Sequence, residues 1–256
     1  MNAIDAGSVE MSVEQGVAHI TFFHPSHNSL PGRLLAELTH KIQTAGTDDA
    51  VRLILLKSAG DRTFCAGASF DELMSIEDLE QGKRFFMGFA NVINACRSCP
   101  KLIIGRVQGK AVGGGVGLAS ATDYCFATQY ASVKLSELAV GIGPFVVGPA
   151  VERKIGLSAM SQLAINATAW QIADWAAQKG LYTQVFDSTE AMDEAISILL
   201  TKLTKSNPEA MRLLKKVFWE GTDHWDSLLA ERAAMSGQLV LSDYSKQAIE
   251  RFKAKA

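Results

Sequence analysis

Strand-length apolar runs alternate with helix-spaced ones along the first three-quarters of the chain, and that alternation points to an α/β core. Alternating segments at 9–13 and 17–22, joined by Glu14-Gln15-Gly16, predict a β-hairpin. Leu34, Leu35, Leu38 and Ile42 share one face of a helix expected over 30–46, and 51–57 reads as a buried strand. A loop of small residues at 58–68 leads into helix from about Asp71, and Phe85, Phe86, Phe89, Val92 and Ile93 repeat at helical spacing over 83–96. Further strands are expected at 102–107, 124–128 and 183–186, with a helix at 113–121. Residues 133–148 read as irregular, and 149–179 as helical. From about Glu190 onward the pattern is purely helical, at 191–203, 208–219, 225–241 and 243–253. The expected organisation is a core over 1–190 and a helical region over 191–256 that serves as a subdomain or an oligomer contact.

The 25 basic and 27 acidic residues leave a net charge of −2, so the whole-chain charge gives no sign of nucleic-acid binding. Met1 to Met11 carries Asp5 and Glu10 with no basic segment, unlike a secretory or transit leader. No apolar run reaches the roughly 18–20 residues of a membrane span, so a cytoplasmic location is expected. Cys65, Cys96, Cys99 and Cys125 are too few for a disulfide framework and read as reduced, largely buried thiols. Cys96 and Cys99 have C-x-x-C spacing, but no second ligand pair follows, and neither a metal nor a redox site is expected there.

Gly109-Lys110-Ala111-Val112-Gly113-Gly114-Gly115-Val116-Gly117-Leu118-Ala119 is the most unusual segment. A dinucleotide fingerprint fails in it: counted from Gly113 the last position is Leu118, and counted from Gly115 it is Ser120. A phosphate-binding P-loop fails as well, and no G-x-S-x-G nucleophile elbow occurs. Three consecutive glycines serve either close helix packing at a strand-to-helix turn or close approach of backbone to a ligand. A helix entered in this way leaves N–H groups unpaired at its positive end. A carbonyl oxygen becoming an enolate suits those donors, and so does a phosphate. Phe64-Cys65-Ala66-Gly67-Ala68-Ser69-Phe70-Asp71 also leads small residues into a helix, which an ordinary strand–loop–helix join would explain. In Lys134 to Pro144, Glu137 stands alone among small and apolar residues. Enclosed there, its pKa would rise into a range useful for proton transfer, whereas at a surface turn it would be an ordinary solvated acid.

In order and spacing these segments resemble the crotonase (enoyl-CoA hydratase/isomerase) superfamily. The pieces are His24-Pro25 with Asn28-Ser29-Leu30, Phe64 to Ala68, Gly109 to Gly115 with Leu118-Ala119 and Asp123, and Ser136-Glu137 with Gly141 and Pro144. The resemblance runs over essentially the whole length. It implies a spiral of ββα units with a C-terminal helical region that supports trimers, often paired into hexamers. It implies an acyl-CoA thioester substrate, an oxyanion hole made by the N–H groups of Ala68 and Gly114, and Glu137 as acid/base. Ala66, Ser69, Phe70, Gly117, Gly141 and Pro144 fall in the segments implied to hold the substrate, with coenzyme A along Ala66 to Phe70 and the Pro25 to Asn28 loop. Coenzyme A is then part of the substrate, and no separate cofactor or metal is implied. Arg251 and Lys253 would reach its phosphates only from a neighbouring subunit.

Two departures bear on the chemistry. Many hydratases of the superfamily carry a second glutamate where this chain has Gly117, and Phe145-Val146-Val147-Gly148 replaces a more glycine-rich stretch. One carboxylate suits a shift of a double bond, though some hydratases also work with one. Three readings follow: an enoyl-CoA hydratase or isomerase; another reaction on the same scaffold, such as thioester hydrolysis, decarboxylation or C–C cleavage; and a non-catalytic acyl-CoA-binding protein. Asp123 reads as structural, and His24 and His27 as loop residues beside the coenzyme A segment.

Overall fold

The computed structural model describes residues 3–253. Strands β1 (Ser8–Glu14) and β2 (Val17–Phe23) form the expected hairpin, paired from Ser8↔Phe23 to Glu14↔Val17. Its two turn residues, Gln15 (φ 50°) and Gly16 (φ 81°), are both left-handed, which matches the right-handed twist of the strands they join. Helix α1 (Gly32–Thr47) buries Leu34, Leu35, Leu38 and Ile42 as their spacing predicts. There follow β3 (Leu53–Ser58), β4 (Thr63–Cys65), α2 (Phe70–Met74), α3 (Leu79–Ser98), β5 (Leu102–Val107), β6 (Lys110–Val112), α4 (Gly114–Ser120), β7 (Tyr124–Thr128) and β8 (Val133–Lys134). The chain ends through α5 (Gly148–Ile165), α6 (Ala173–Gln178), β9 (Gln184–Phe186), α7 (Thr189–Leu203), α8 (Pro208–Phe218), α9 (Trp225–Leu239) and α10 (Asp243–Lys253).

Two sheets result. The larger has the order β1-β2-β3-β5-β7-β9 and is parallel except for the hairpin; the smaller is β4-β6-β8, parallel throughout. Strands β3, β5 and β7 are each followed by a short strand and then by helix, giving the ββα spiral. The central strands β3, β5 and β7 are buried on both faces, which explains their unbroken apolar runs. Ile54, Leu56, Ile103 and Val107 face the main core with α1 and α3, while Leu53, Leu55, Leu102 and Ile104 face a second cluster with Met192, Ile196, Leu200 and Met211 of α7 and α8.

The three short strands depart from the sequence reading, which gave loop or irregular chain at β4 and β8 and no strand at β6. Two or three residues are too few to show an alternating period, so their pairing is decided by tertiary contacts. They matter because all three run parallel, and their C-terminal ends deliver Ala66 to Ala68, Gly113-Gly114 and Ser136-Glu137 to one place.

The helical tail packs on its own core. Trp219, Trp225, Leu229, Ala233, Val240, Ala248 and Ile249 belong to the same cluster as the α1 and α3 side chains. Helices α3 and α9 touch at Gly82 and Gly237, where a methyl on Gly82 would stand 2.6 Å from the Gly237 carbonyl oxygen. Residues 254–256 and the side chain of Lys253 lie outside the described residues, as do Met1 and Asn2. Among the described residues no helix is long and apolar enough to cross a membrane.

Candidate functional site

A cavity of 60 Å³ lies where the three short strands end. Ala66, Ala68, Gly113, Gly114, Glu137 and Pro144 form one side of it, and Phe70, Phe86, Phe89, Ile142, Phe145 and Val147 make much of the rest apolar.

The loop carrying Ala68 is held from behind. Leu30 N–H donates to Gly67 O (2.8 Å), Ala66 N–H donates to His27 O (3.1 Å), and Asn28 Nδ2 donates to Ala59 O and Thr63 O. His24 is 2% exposed, and its Nδ1 accepts from Ser26 N–H (3.2 Å), so it knots this loop and does not face the cavity. The two small-residue loops meet closely: a methyl on Gly67 would lie 2.8 Å from Val112 O and 3.4 Å from Gly114 N. Within the described residues no backbone acceptor takes the N–H of Ala68 or of Gly114, which opens α4. Both residues line the cavity.

Glu137 closes the arrangement. The residue as a whole keeps some accessible surface, but its Oε2 is sealed and has no hydrogen-bond partner among the described residues. Burial raises its pKa to about 7, only partly offset by its own backbone N–H. Gly113 is left-handed (φ 52°), and a methyl there would stand 3.0 Å from Glu137 Oε1. That position therefore excludes a side chain twice, by backbone conformation and by crowding of the carboxylate.

The remaining sequence candidates divide. Ala66, Phe70 and Pro144 line the cavity; Ser69, Gly117 and Gly141 sit behind its wall. Ser69 caps α2 by accepting from Glu72 N–H. Gly141 carries Tyr244 and Ser245 of α10 against it, with Ser245 Oγ 2.5 Å from where a methyl would be. Gly117 faces Val147, whose Cγ1 would lie 2.5 Å from an added methyl. The place of a second acid is thus occupied by an apolar side chain. Gly117→Glu should fail to supply a working second carboxylate: we expect a lower melting temperature and no gain in hydration of crotonyl-CoA, checked by thermal melts and product mass.

Several lining residues gave no functional signal in sequence. Phe86 and Phe89 show only the helical spacing of a core face, and Ser236 of α9 lies far along the chain with no motif around it. Arg232, one turn before Ser236, contacts the Phe145 carbonyl through Nη1 (3.4 Å). Asp123 is structural: it accepts from Ile103 N–H (2.7 Å), Lys215 Nζ (2.6 Å) and Trp219 Nε1 (2.8 Å). The four cysteines are free and buried, and burial lifts Cys65 and Cys96 to about 12, so they stay as thiols. Among the described residues no group of three or more His, Cys, Asp or Glu side chains is placed to hold a metal ion. Arg251 is exposed on α10 and turns its Nε to Gln247 O.

Residues 12–256 match the family model described as enoyl-CoA hydratase/isomerase. The short-chain-enoyl-CoA hydratase of Clostridium acetobutylicum is 28% identical over 252 residues, which cover 97% of this chain and 95% of that protein. The peroxisomal Delta(3,5)-Delta(2,4)-dienoyl-CoA isomerase of Arabidopsis thaliana is 26% identical over 82% of this chain and 79% of its own. The crystal structure of enoyl-CoA hydratase from Bacillus halodurans superposes with a TM-score of 0.87 at 19% identity, covering 95% of this chain and 99% of that one, a likeness of fold. With a match spanning both sheets, the cavity and the helical tail, the chain belongs to the enoyl-CoA hydratase/isomerase family.

Proposed function

We propose that this chain moves a proton along the acyl group of a coenzyme A thioester, with Glu137 as the acid/base and the N–H groups of Ala68 and Gly114 as the oxyanion hole. The observation that carries this reading is the sealed, unpartnered Glu137 Oε2 in the same small cavity as two unclaimed amides. Glu137 in its ionised form takes a proton from C2 of a 3-enoyl thioester. The electron pair moves into the thioester carbonyl, and the two amides meet the developing oxyanion. Protonated Glu137 then returns the proton at C4, and the double bond comes to rest between C2 and C3. Charge is transient at the oxygen, where main-chain donors are fixed in advance, and no second acid is needed. Coenzyme A enters as part of the substrate, so the reaction calls for no separate cofactor or metal.

Hydration of a 2-enoyl thioester by the same single carboxylate is the second reading. Val147 in front of Gly117 favours the isomerase reading, because it removes the polar site that a two-carboxylate hydration would use. Incubating the protein with 3-enoyl-CoA and with crotonyl-CoA, and following products by mass, separates the two. Conversion of neither thioester would defeat both, and loss of coenzyme A or of CO₂ would assign another reaction of the scaffold.

The chain is proposed to act as a homotrimer or a pair of trimers. Support comes from α8, where Leu213, Leu214, Val217 and Phe218 are 47–56% exposed along one stripe. Light scattering after size exclusion should give three or six chains per particle, and Leu214→Glu with Phe218→Glu should lower that number. A wild-type particle of one chain would refute the assembly.

A further inference from the structure

Among the described residues, three polar side chains line the cavity. Ser136 and Glu137 arrive together at the end of β8, while Ser236 comes from α9 on the helical tail. Its position depends on the contact between α3 and α9. A methyl on Gly237 would lie 2.5 Å from Lys83 N, so the helices approach at the backbone level, and the neighbouring Ser236 reaches the cavity.

The hydroxyl of Ser236 behaves unlike several other helical hydroxyls of this chain, among them that of Ser120, which is likewise buried. Mid-helix serines commonly return the hydroxyl to a carbonyl one turn back. Ser120 donates to Val116 O (2.8 Å), Ser98 to Asn94 O (2.8 Å) and Thr39 to Leu35 O (2.9 Å). Ser236 is 1% exposed and lines the cavity; its Oγ is not sealed as Glu137 Oε2 is, and none of the hydrogen bonds among the described residues uses it, so it is left to whatever enters the cavity. A buried hydroxyl left without a partner is destabilising, and a ligand atom that supplies one gains by the difference. Among the described residues no Lys, Arg or His lines the cavity. A carboxylate on the acyl chain would therefore meet Glu137 with no counter-charge, whereas a neutral oxygen meets no such penalty.

We propose that Ser236 is a specificity-determining residue whose hydroxyl binds a neutral oxygen on the acyl moiety, so that the preferred substrates are hydroxy- or oxoacyl thioesters over plain alkyl ones. This rests on the acyl-CoA reading above and deepens it. Saturated thioesters allow a test that does not depend on which double-bond reaction takes place. Calorimetric titration would compare 4-hydroxybutyryl-CoA with butyryl-CoA, and 5-hydroxypentanoyl-CoA with pentanoyl-CoA. The wild-type protein should bind at least one hydroxyacyl form about tenfold more tightly than its alkyl counterpart. Ser236→Ala should erase that ratio, mainly by weakening the hydroxyacyl ligand, while Ser236→Thr, which keeps the hydroxyl, should retain most of it. A merely structural serine would weaken both ligands alike, and thermal melts of each variant report on the fold. Equal binding of both forms by the wild type, or a preference that survives Ser236→Ala, would overturn the assignment. Failure of all four thioesters to bind would instead remove the acyl-CoA reading, and this inference with it.

Discussion

Glu137→Gln should reduce turnover of the true enoyl thioester by about 10²–10⁴-fold, the range that a positioned acid/base contributes. The change keeps shape and volume and removes only the titrating group. Thioester binding should therefore survive, and kcat should fall much more than KM rises. In the wild type kcat/KM should climb as pH rises through about 7, because the proton-accepting form of Glu137 is the ionised one and burial has lifted its pKa to that region. Residual activity of the variant should lack that limb.

Stability gives a second, independent readout of the same group. The folded-state pKa of Glu137 lies above the ordinary glutamate value of 4.5, so between pH 4.5 and about 7 the native state holds a proton that the unfolded chain has released. Its contribution is then fully present below pH 4.5 and is lost as pH rises through about 7. On that difference the cost at pH 8 is about 3 kcal/mol. The melting temperature of the wild type should accordingly fall between pH 5 and pH 8 by more than that of Glu137→Gln, and the comparison cancels every titrating group that the two proteins share. A variant that turned over at the wild-type rate would mean that this carboxylate is not catalytic, and a pH response identical in the two proteins would mean that it is not enclosed.

The sequence showed which residues are unusual but not why they meet. Long elements were legible because their periods repeat: the 102–107 and 124–128 strands lie where their apolar runs predict, and Gln15-Gly16 marks its own turn. The small sheet was not legible. Thr63–Cys65, Lys110–Val112 and Val133–Lys134 are too short to carry a period, yet their parallel pairing brings three motif segments that lie far apart along the chain into one cavity. Glu137 illustrates the limit on a single residue: composition around it allowed both an enclosed acid and a solvated one, and only the packing of the 138–147 segment over it decides between them. Gly117 read as a lost acid; the structure adds that Val147 has taken the space, which no inspection of position 117 alone could reveal. Ser236 is invisible in sequence because its exposure to the cavity depends on two glycines, Gly82 and Gly237, that are 155 residues apart and in contact.

The largest loss of stability should come from Lys215→Met. Lys215 and Asp123 form a pair at 2.6 Å with side chains only 3% and 4% exposed. Asp123 also holds Ile103 N–H of β5 and the indole N–H of Trp219 at the end of α8, so one carboxylate joins the large sheet to the helical tail. Asp123 lies just beyond the C-terminal end of α4, the helix that begins at Gly114. Removing the ammonium while leaving the carboxylate strands a buried charge, and such a break typically costs about 3–5 kcal/mol. Pairing it with Asp123→Leu should recover part of that loss, because neither member of the pair then remains to be solvated, although Ile103 N–H and Trp219 Nε1 lose their acceptor, and Arg153 and Lys154 lose a neighbouring carboxylate, which keeps the double variant below the wild type. Denaturant unfolding of the four proteins gives the coupling directly. Below its melting transition Lys215→Met should retain kcat within a few-fold of the wild type, since neither residue lines the cavity. A loss under about 1 kcal/mol would show that this pair tolerates solvent, and with it that the tail is joined to the core more loosely than the contacts of Asp123 imply.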